Sequence, residues 1–281
     1  MKISRQPRPV WAFFNPIETI LGIWMHRDLL RQLVRRNIQV RYKGTIMGLM
    51  WMVITPLMML AVYTFVFSVV FKARWGTDFG NSKVAFALIL FCGLVVFNIF
   101  SESVNSSVAI ITNNPNYVKK VVFPLEILPV SAVFSSIFFG LVSLTILLAG
   151  VSLFIHKFSL AIICLPLVFI PLFLLSCGIS WFVASLGVYV RDLAHVIGIV
   201  IQMLIFVTPV FYSVEMVPES LRTIFFFNPL TTIVQTTRYV LIYNRWPDWY
   251  GLCIVTIFSL VVFQMGYFWF MNIKRGFADV L

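Results

Sequence analysis

Long uncharged stretches dominate the pattern of hydrophobic and polar positions along the chain. Six of them contain no Asp, Glu, Lys or Arg, and their lengths are 28, 18, 30, 33, 22 and 25 residues. A helix needs about 20 mostly apolar residues to cross a bilayer, so all six qualify, the 18-residue stretch only if Glu102 and the residues after it extend the helix. The pattern therefore predicts an all-α membrane protein with six transmembrane helices, within residues 44–71, 84–101, 127–156, 158–190, 193–214 and 249–273.

Two other interpretations of the apolar pattern fail. A closed β-barrel shows segments of about ten residues with alternating polarity, whereas this chain has unbroken runs such as GLVSLTILLAGVSLFI. The N-terminus does not resemble a cleaved signal peptide, because Pro16, Glu18 and Thr19 interrupt its apolar residues. We expect the first span to begin near Ile46, which gives a cytoplasmic N-terminal segment (1–45), a six-helix transmembrane domain (46–273) and a cytoplasmic tail (274–281).

A basic amphipathic segment, residues 27–43, precedes the first span. Such a helix lies at the membrane interface, with its apolar stripe in the headgroup boundary and its arginines toward phosphates or a cytoplasmic partner. Gly44 then lets the chain turn into the membrane. A stop-transfer anchor without a partner is the alternative, since Val34 and Ile38 blur the stripe. The apolar stripe comprises Leu29, Leu30, Leu33 and Val40, and the opposite face comprises Asp28, Arg31, Gln32, Arg35, Gln39 and Lys43.

The connection between the second and third spans has structural signals of its own. The segment NNPNYVKKVVFPLEILP, residues 113–129, starts with turn residues and has prolines on both sides of Glu126. We interpret it as a short cytoplasmic helix that presents Tyr117, Val118 and Val121 to another molecule. An irregular loop ended by prolines is the alternative.

The segment between the fifth and sixth spans is apolar but carries Glu219, Arg222, Arg238 and Arg245. Pro218 suits a helix start, and Asn228-Pro229 ends one helix and begins another. Each charge placed in the middle of the membrane would cost roughly 2.5 to 3.5 kcal/mol. We therefore predict two short helices in a re-entrant hairpin at the outer face, which keeps the charges near water.

Composition and charge add an orientation. Hydrophobic residues make up 60% of the chain and charged residues 11%, whereas soluble domains contain about 25% charged residues. Fourteen of the 21 Lys and Arg residues fall on the side of the two termini, which places both termini in the cytoplasm. Topology and anionic lipid headgroups then account for the net charge of +11, without nucleic-acid binding.

Residue types that carry catalysis are sparse. The four cysteines lie inside apolar runs and the three histidines lie far apart, so the sequence predicts no metal site. Glu102 and Glu126 lie near helix ends without a charged partner close in sequence, which gives little support to catalysis or proton coupling in the membrane. No GxxxxGK[ST] motif is present, so nucleotide hydrolysis by that route would need another polypeptide. Aromatic residues make up 16%, and their rings can stack on sugars, although most Trp and Tyr of membrane proteins form interfacial belts.

Three segments carry a resemblance to a known family. They are RDLLRQLVRRNIQVRYKGTIMGLMWMVITPLMMLAVYTFVFSVVF (27–71), the 113–129 segment, and VASLGVYVRDLAHV (183–196). With the order of the six spans, they resemble the membrane subunit of type-2 ABC exporters, specifically the bacterial exporters of O-antigen and teichoic-acid polysaccharides. The resemblance covers nearly the whole chain.

The resemblance implies a homodimer of this subunit, in the bacterial cytoplasmic membrane, with two separate ATPase subunits that bind ATP and Mg. The complex would export an undecaprenyl-diphosphate-linked glycan, and this chain itself would need no cofactor. Residues 113–124 would be the coupling helix that sits in a cleft of the ATPase, residues 27–43 the interface helix beside it, and residues 218–243 the periplasmic gate helices. The first and fifth spans would line the channel.

These implied roles fall on four sets of residues. The coupling set is Asn114, Pro115, Tyr117, Val118, Lys119, Lys120, Val121 and Phe123. The interface set, expected to steer the lipid diphosphate by charge, is Arg27, Arg31, Arg35, Arg36, Arg41 and Lys43. The channel set is Tyr63, Phe67, Phe71, Phe206, Phe211 and Tyr212. The gate set is Pro218, Arg222, Phe226, Asn228, Pro229 and Arg238.

Other functions remain open at the level of sequence. Within transport, the chain could export teichoic acid, capsule, a drug or a lipid. An integral-membrane enzyme acting on a polyprenyl lipid is a different class, but it lacks the expected carboxylates. A non-transporting scaffold would explain the spans and leave the 113–129 segment without a purpose.

Overall fold

The computed structural model describes residues 15–70, 82–119, 123–155 and 160–281. These residues form helices, turns and connecting segments, with no β-strand among them, so the all-α prediction is confirmed. Phe71, Lys120 and Val121, each predicted to be a site residue, lie outside the described residues. The helices are α1 (Pro16–Met25), α2 (Arg27–Tyr42), α3 (Trp51–Thr64), α4 (Lys83–Val108), α5 (Pro115–Val118), α6 (Ile127–Phe154), α7 (Leu165–Tyr189), α8 (Leu193–Val207), α9 (Glu219–Phe227), α10 (Pro229–Leu241), α11 (Trp249–Ile273) and α12 (Phe277–Val280).

Several helix boundaries follow from local chemistry. The side-chain oxygen of Asn15 accepts from the Ile17 N–H at 3.0 Å, and Ser82 does the same for Ala85 at 3.3 Å. These bonds satisfy backbone donors that the first turn of a helix leaves without an intrahelical partner. Between α2 and the first apolar helix, Gly44 has a φ of 85°, a conformation that glycine adopts without a steric penalty. The abrupt turn from the basic segment into the apolar one therefore depends on this glycine.

Five helical stretches of the described chain are long and apolar enough to cross a membrane, which makes this a multi-pass membrane protein. The predicted fifth span instead contains α8, which has 15 residues. A helix of that length rises about 22 Å, short of the roughly 30 Å of hydrocarbon. Pro209 explains its end, because proline lacks an N–H and disfavours helical backbone at the preceding residue, Thr208, which is extended. The five stretches are Gly48–Val70, Lys83–Val108, Ile127–Phe154, Leu160–Tyr189 and Trp249–Val280.

The helix α4 is the centre of the packing. In the most apolar 18-residue stretch of α4, 78% of the residues are buried, whereas none is buried in the corresponding stretch of Gly48–Val70. It packs against α6, α7, α8 and α10, and it contributes more residues to the larger hydrophobic cluster than any other helix does. The helices α3 and α8 lie at the margin, and Ile201 is the one buried residue of α8. The surfaces of α3 and α8 are thus available for a further contact.

Close backbone contact holds α7 against α11. A Cβ added to Gly178 would lie 2.5 Å from the Val262 carbonyl oxygen, and one added to Gly266 would lie 2.1 Å from the Gly178 carbonyl oxygen. Small residues at such a crossing let two helices approach closely, which is a common basis of helix association in membranes. Beside this crossing, Trp181, Phe263 and Phe270 form part of a second hydrophobic cluster, which also includes Leu30 and Leu33 of α2.

Candidate functional site

The basic helix α2 lies against α6, and its two sides have different environments. Leu30 and Leu33 of the predicted apolar stripe are buried. Val40, at the C-terminal end of the same stripe, is 61% exposed. The apolar stripe therefore packs on the protein at its centre, and the prediction that it sinks into lipid along its whole length does not hold for Leu30 and Leu33.

One arginine of α2 ties this helix to the short helix α5. The Arg36 guanidinium donates to the Tyr117 hydroxyl and to the Asn114 side-chain oxygen, both at 2.9 Å. It also lies 5.7 Å from the centre of the Tyr117 ring. On its other side, the Tyr117 ring stacks on Phe123 with centroids 4.3 Å apart. Sequence reasoning assigned Arg36 and Tyr117 to two separate sites, and the structure brings them together.

This packing changes which side of the 113–119 segment is available to a partner. Tyr117, Val118 and Phe123 pack partly buried against the second hydrophobic cluster of the chain itself. Asn114 and Pro115 are also half-buried, and Asn114 donates to the Ile110 carbonyl oxygen at 2.8 Å. The exposed positions are Asn113, Asn116 and Lys119. They lie within α5 and on either side of it, and only Lys119 was among the predicted coupling residues.

The two carboxylates near the helix ends have partners from distant parts of the chain. Arg41 of α2 forms an ion pair with Glu102 at 2.7 Å and lies 4.4 Å from the Phe139 ring centre. Lys274, just after α11, pairs with Glu126 at 3.1 Å. The sequence signal was present, since each carboxylate adjoins a long uncharged stretch, but the partners are separated from them by 61 and 148 residues.

The remaining basic residues of α2 are exposed. Arg27, Arg31 and Arg35 lie on the side that faces a groove beside α6, and Lys43 follows the end of the helix. The six residues predicted as one steering set thus separate into two groups. Arg36 and Arg41 are bonded within the chain, although the Arg41 side chain is still 40% exposed. The other four are exposed.

A second polar site lies in the segment between α8 and α11, around Arg238 of α10. Arg238 is only 4% exposed, so the expectation that the hairpin keeps its charges near water is wrong for this residue. Its guanidinium donates to the Pro209 and Val210 carbonyl oxygens at 2.7 and 2.8 Å and to the Ile89 carbonyl oxygen at 3.2 Å. Gly93 leaves the necessary space, because a Cβ there would lie 2.6 Å from the guanidinium. Arg238 thereby joins α10 to α4 and to the break after α8.

The other predicted gate residues shape the same hairpin. Arg222 donates to the Val217 and Glu215 carbonyl oxygens, each at 2.9 Å, and so closes the turn before α9. Asn228 caps α10 through its bond from the Leu230 N–H and donates to the Thr208 hydroxyl at 3.0 Å. Pro218 precedes α9, Pro229 begins α10, and Phe226 is 68% exposed. Two short helices are therefore present where the sequence predicted them.

The aromatic residues proposed to line a channel form one cluster between the first span and the end of α8. Phe67 stacks on Phe211 with centroids 4.9 Å apart, and Tyr63 lies 5.3 Å from the same ring. Phe206 lies 6.0 Å from Phe211, and the Tyr212 hydroxyl donates to the Phe206 carbonyl oxygen. Phe211 is buried at 7% exposure, while Phe206 is 65% exposed. The described part of this set is therefore contiguous, with Phe206 on its outer side.

Metal ligation has no support in the described residues, among which no group of three or more His, Cys, Asp or Glu side chains could hold an ion. The chemistry that the arrangement offers is recognition and mechanical linkage. Arg36, Arg41 and Lys274 link α2 and the end of α11 to other helices of the chain. Bonds from Arg222 and Arg238 to carbonyl oxygens fix the hairpin of α9 and α10.

Comparisons with known proteins agree with the extended pattern of the sequence. The profile of the ABC-2 type transporter family matches residues 28–242. An O-antigen export system permease protein from Klebsiella pneumoniae is 26% identical over 255 residues, which cover 90% of this chain and 95% of that protein. A permease protein of the same name from Myxococcus xanthus is 24% identical over 265 residues, covering 94% and 99%. A polysialic acid transport protein from Escherichia coli is 23% identical over 252 residues, covering 87% and 93%. The chain belongs to the ABC-2 type transporter family, as a permease subunit.

Proposed function

We propose that this permease exports an undecaprenyl-diphosphate-linked polysaccharide of the O-antigen type across the cytoplasmic membrane, driven by a separate ATPase subunit. The similarity to O-antigen export permeases supports the cargo class. The observation that carries the dependence on an ATPase is the pair of hydrogen bonds from Arg36 to Tyr117 and Asn114. These bonds fix α5 to α2, so the segment is not a loose loop. A segment held in this way transmits the motion of an attached ATPase to the membrane helices.

The coupling surface in this proposal is the exposed face of Asn113, Asn116 and Lys119. This surface is held in place by the packing of Tyr117, Val118 and Phe123 against the second hydrophobic cluster. Lys120 and Val121 remain part of the proposed coupling segment as sequence predictions. ATP and Mg are bound by the partner chain, since this sequence has no phosphate-binding loop of the GxxxxGK[ST] type.

The transport path in this proposal runs along α3 and α8, where two copies of the chain meet. Support comes from the exposure of two helices. The most apolar 18 residues of the first span include no buried residue, and α8 is largely exposed. The segment 208–214 continues α8 to give the sixth crossing, with both termini in the cytoplasm. The cluster around Phe211 then lies beside the path, and α9 and α10 form the periplasmic gate. The charge of α2 attracts the lipid diphosphate toward the entrance.

Export in cells tests the proposed function. The chain is expressed, with and without an ATPase subunit that we expect to be encoded beside it, in a strain that makes a lipid-linked glycan but lacks its exporter. We expect glycan at the cell surface only when both chains are present, and accumulation of the lipid-linked form inside the cell otherwise. Surface glycan with this chain alone would contradict the dependence on an ATPase, and no surface glycan with both chains would contradict the cargo class.

Capsule export is the second candidate, because the Escherichia coli relative is named as a polysialic acid transport protein and matches over a similar length. The same assay distinguishes it. If a capsule-type glycan reaches the surface and the O-antigen type does not, the cargo assignment changes while the transport function stays.

Cysteine labelling tests the proposed topology. Phe226 is 68% exposed and Asn116 is exposed, so a cysteine at either position is accessible to a reagent on its side. In a background without the native cysteines, we expect a membrane-impermeant maleimide to label Phe226→Cys in intact spheroplasts and Asn116→Cys only after permeabilisation. Labelling with the opposite sidedness would overturn both the orientation and the gate assignment.

A further inference from the structure

A groove of about 710 Å³ lies between α2 and α6, on the side of α2 that carries Arg27, Arg31 and Arg35. Its floor is apolar and includes Phe134, Phe138 and Leu141 of α6, which are 36%, 41% and 49% exposed. Leu49, at 60% exposure, closes one end. Large apolar side chains that remain exposed along a groove indicate an apolar occupant.

Three arginines form the rim of this groove. Arg27, Arg31 and Arg35 all line it and are all exposed. Within the described residues, no hydrogen bond or ion pair to Arg31 or Arg35 is present, and Arg27 lies over the Trp24 ring at 5.7 Å. Among the described residues, no Asp or Glu lines the groove. This is the reverse of the other side of α2, where Arg36 and Arg41 are bonded to Tyr117, Asn114 and Glu102.

The charges on this rim are unfavourable without a ligand. Like charges four residues apart on a helix repel each other. Arg27 also lies in the first turn of α2, where the positive end of the helix dipole disfavours a cation and attracts an anion, an effect that Asp28 in the same turn offsets in part. An anion at the rim therefore relieves two sources of repulsion, while the groove floor requires an apolar group on the same molecule.

The dimensions favour a phospholipid. Arg27 and Arg35 are eight residues apart, or about 12 Å along the helix axis. Phe134, Phe138 and Leu141 lie roughly 10 to 20 Å along α6 from its first residue, which is the depth of acyl chains beneath a headgroup. The two phosphates of a diphosphate share one oxygen and would meet only part of this row. A glycerophospholipid with two separate phosphates meets all of it. Of the described residues that line the groove, Gln39 is the single one with an uncharged polar side chain.

We propose that this groove holds an anionic phospholipid of the surrounding bilayer, with its phosphates on Arg27, Arg31 and Arg35 and its acyl chains on Phe134, Phe138 and Leu141. The lipid is resident and is not the transported cargo. It neutralises the exposed side of α2 and holds this helix on α6. Because Arg36 lies on the same helix, the bound lipid also fixes the position of the 113–119 segment.

Lipid retention by the purified full chain in complex with its ATPase tests the proposal. The probe is diphosphatidylglycerol, supplied at increasing fractions in phosphatidylcholine nanodiscs, and bound lipid is counted by native mass spectrometry after extraction. We expect the double variant Arg31→Gln/Arg35→Gln to bind diphosphatidylglycerol roughly 30-fold more weakly, from the usual contribution of each basic residue near an anionic lipid. The matched control is Arg191→Gln/Arg275→Gln, which removes the same charge from exposed positions outside the groove and should retain the lipid.

A conservative variant protects the test against misfolding. Arg31→Lys/Arg35→Lys keeps both charges, so we expect it to retain diphosphatidylglycerol even if the Gln variant does not assemble. Equal retention by the Gln variant and the wild type overturns the proposal, as does equal loss in the control, which would show that only net charge matters. If undecaprenyl diphosphate displaces the probe at equal or lower concentration, the groove belongs to the cargo and the resident-lipid assignment is wrong.

Discussion

Replacing Arg238 with methionine is expected to lower the thermal stability of the purified protein more than any other single substitution considered for this chain. Methionine has a similar length and no donor, so the carbonyl oxygens of Pro209, Val210 and Ile89 all lose the guanidinium. A buried polar group left unsatisfied costs about 1–3 kcal/mol, and these bonds lie where water cannot replace them. We expect a loss of several kcal/mol, measured as a lower midpoint of thermal unfolding in detergent, together with loss of export.

The physical basis of this effect is the chain break after α8. Pro209 prevents the helix from continuing, and its own carbonyl and that of Val210 then need donors from outside the helix. Arg238 supplies both from α10, with a planar group that reaches several acceptors at once. Arg238→Lys keeps the charge but has a single nitrogen, so we expect an intermediate midpoint.

Gly93 provides an independent test of the same contact. A Cβ at Gly93 would lie 2.6 Å from the Arg238 guanidinium, whereas one at Gly198 in α8 would meet no atom within 4 Å. Alanine is favoured over glycine in a helix by about 1 kcal/mol, so propensity alone predicts stabilisation at both positions. We expect Gly93→Ala to destabilise and Gly198→Ala to be neutral or stabilising. If Gly93→Ala, Gly198→Ala and Arg238→Met all unfold at the same midpoint, the hydrogen bonds of the Arg238 guanidinium contribute nothing to stability.

Replacing Arg36 with alanine is expected to separate ATP hydrolysis from export. Arg36 supplies the hydrogen bonds that join α2 to Tyr117 and Asn114, and α5 is a single turn of four residues. Hydrogen bonds to charged groups contribute about 1.5–3 kcal/mol each, with the lower value expected for this partly buried site. Without them, α5 can move independently of α2. We expect the ATPase still to bind and hydrolyse ATP, while export per ATP hydrolysed falls at least about tenfold, the equivalent of 1.4 kcal/mol.

The controls for this prediction use neighbouring contacts. Arg275→Ala removes an exposed charge that has no assigned role and should leave the ratio of export to hydrolysis unchanged. Tyr117→Phe keeps the stacking on Phe123 and removes the hydroxyl that accepts from Arg36, so an intermediate loss is expected. Tyr117→Asp removes the stacking and should abolish export. An unchanged ratio in Arg36→Ala would exclude the link between α2 and α5 from the export mechanism.

The positions of the long helices can be predicted from the order of apolar and charged residues in the sequence, because a bilayer restricts which structures can cross it. Backbone groups in hydrocarbon must bond within their own segment, so a long uncharged apolar stretch has to be helical. The five long helices were predictable for this reason. The helix α2 was predictable from its amphipathic pattern, and the short helices near Pro218 and Asn228-Pro229 from proline positions at helix starts. The fifth predicted stretch shows the limit, because a charge-free run of sufficient length contains Pro209, which ends α8 at Val207.

The contacts of the predicted site residues could not be predicted from the sequence. Sequence analysis placed Arg36 and Arg41 in one steering set, found no charged partner close in sequence to Glu102, and expected Arg238 near water. In the structure, Arg36 bonds to α5, Arg41 pairs with Glu102, and Arg238 is buried against carbonyl groups. None of these pairings has a local signature, since the partners lie 28 to 149 residues away.

By itself, the sequence determined that this protein is helical, crosses the membrane several times and carries its excess positive charge in a basic segment before the first span, because hydrophobic length, proline and charge act locally. Tertiary structure alone decided which arginine meets which acceptor. The same guanidinium group binds a tyrosine and an asparagine at Arg36, a carboxylate at Arg41 and carbonyl oxygens at Arg238, and it remains exposed at Arg31 and Arg35. These differences arise because burial and donor geometry depend on which helices pack together, and that packing joins residues distant in the chain.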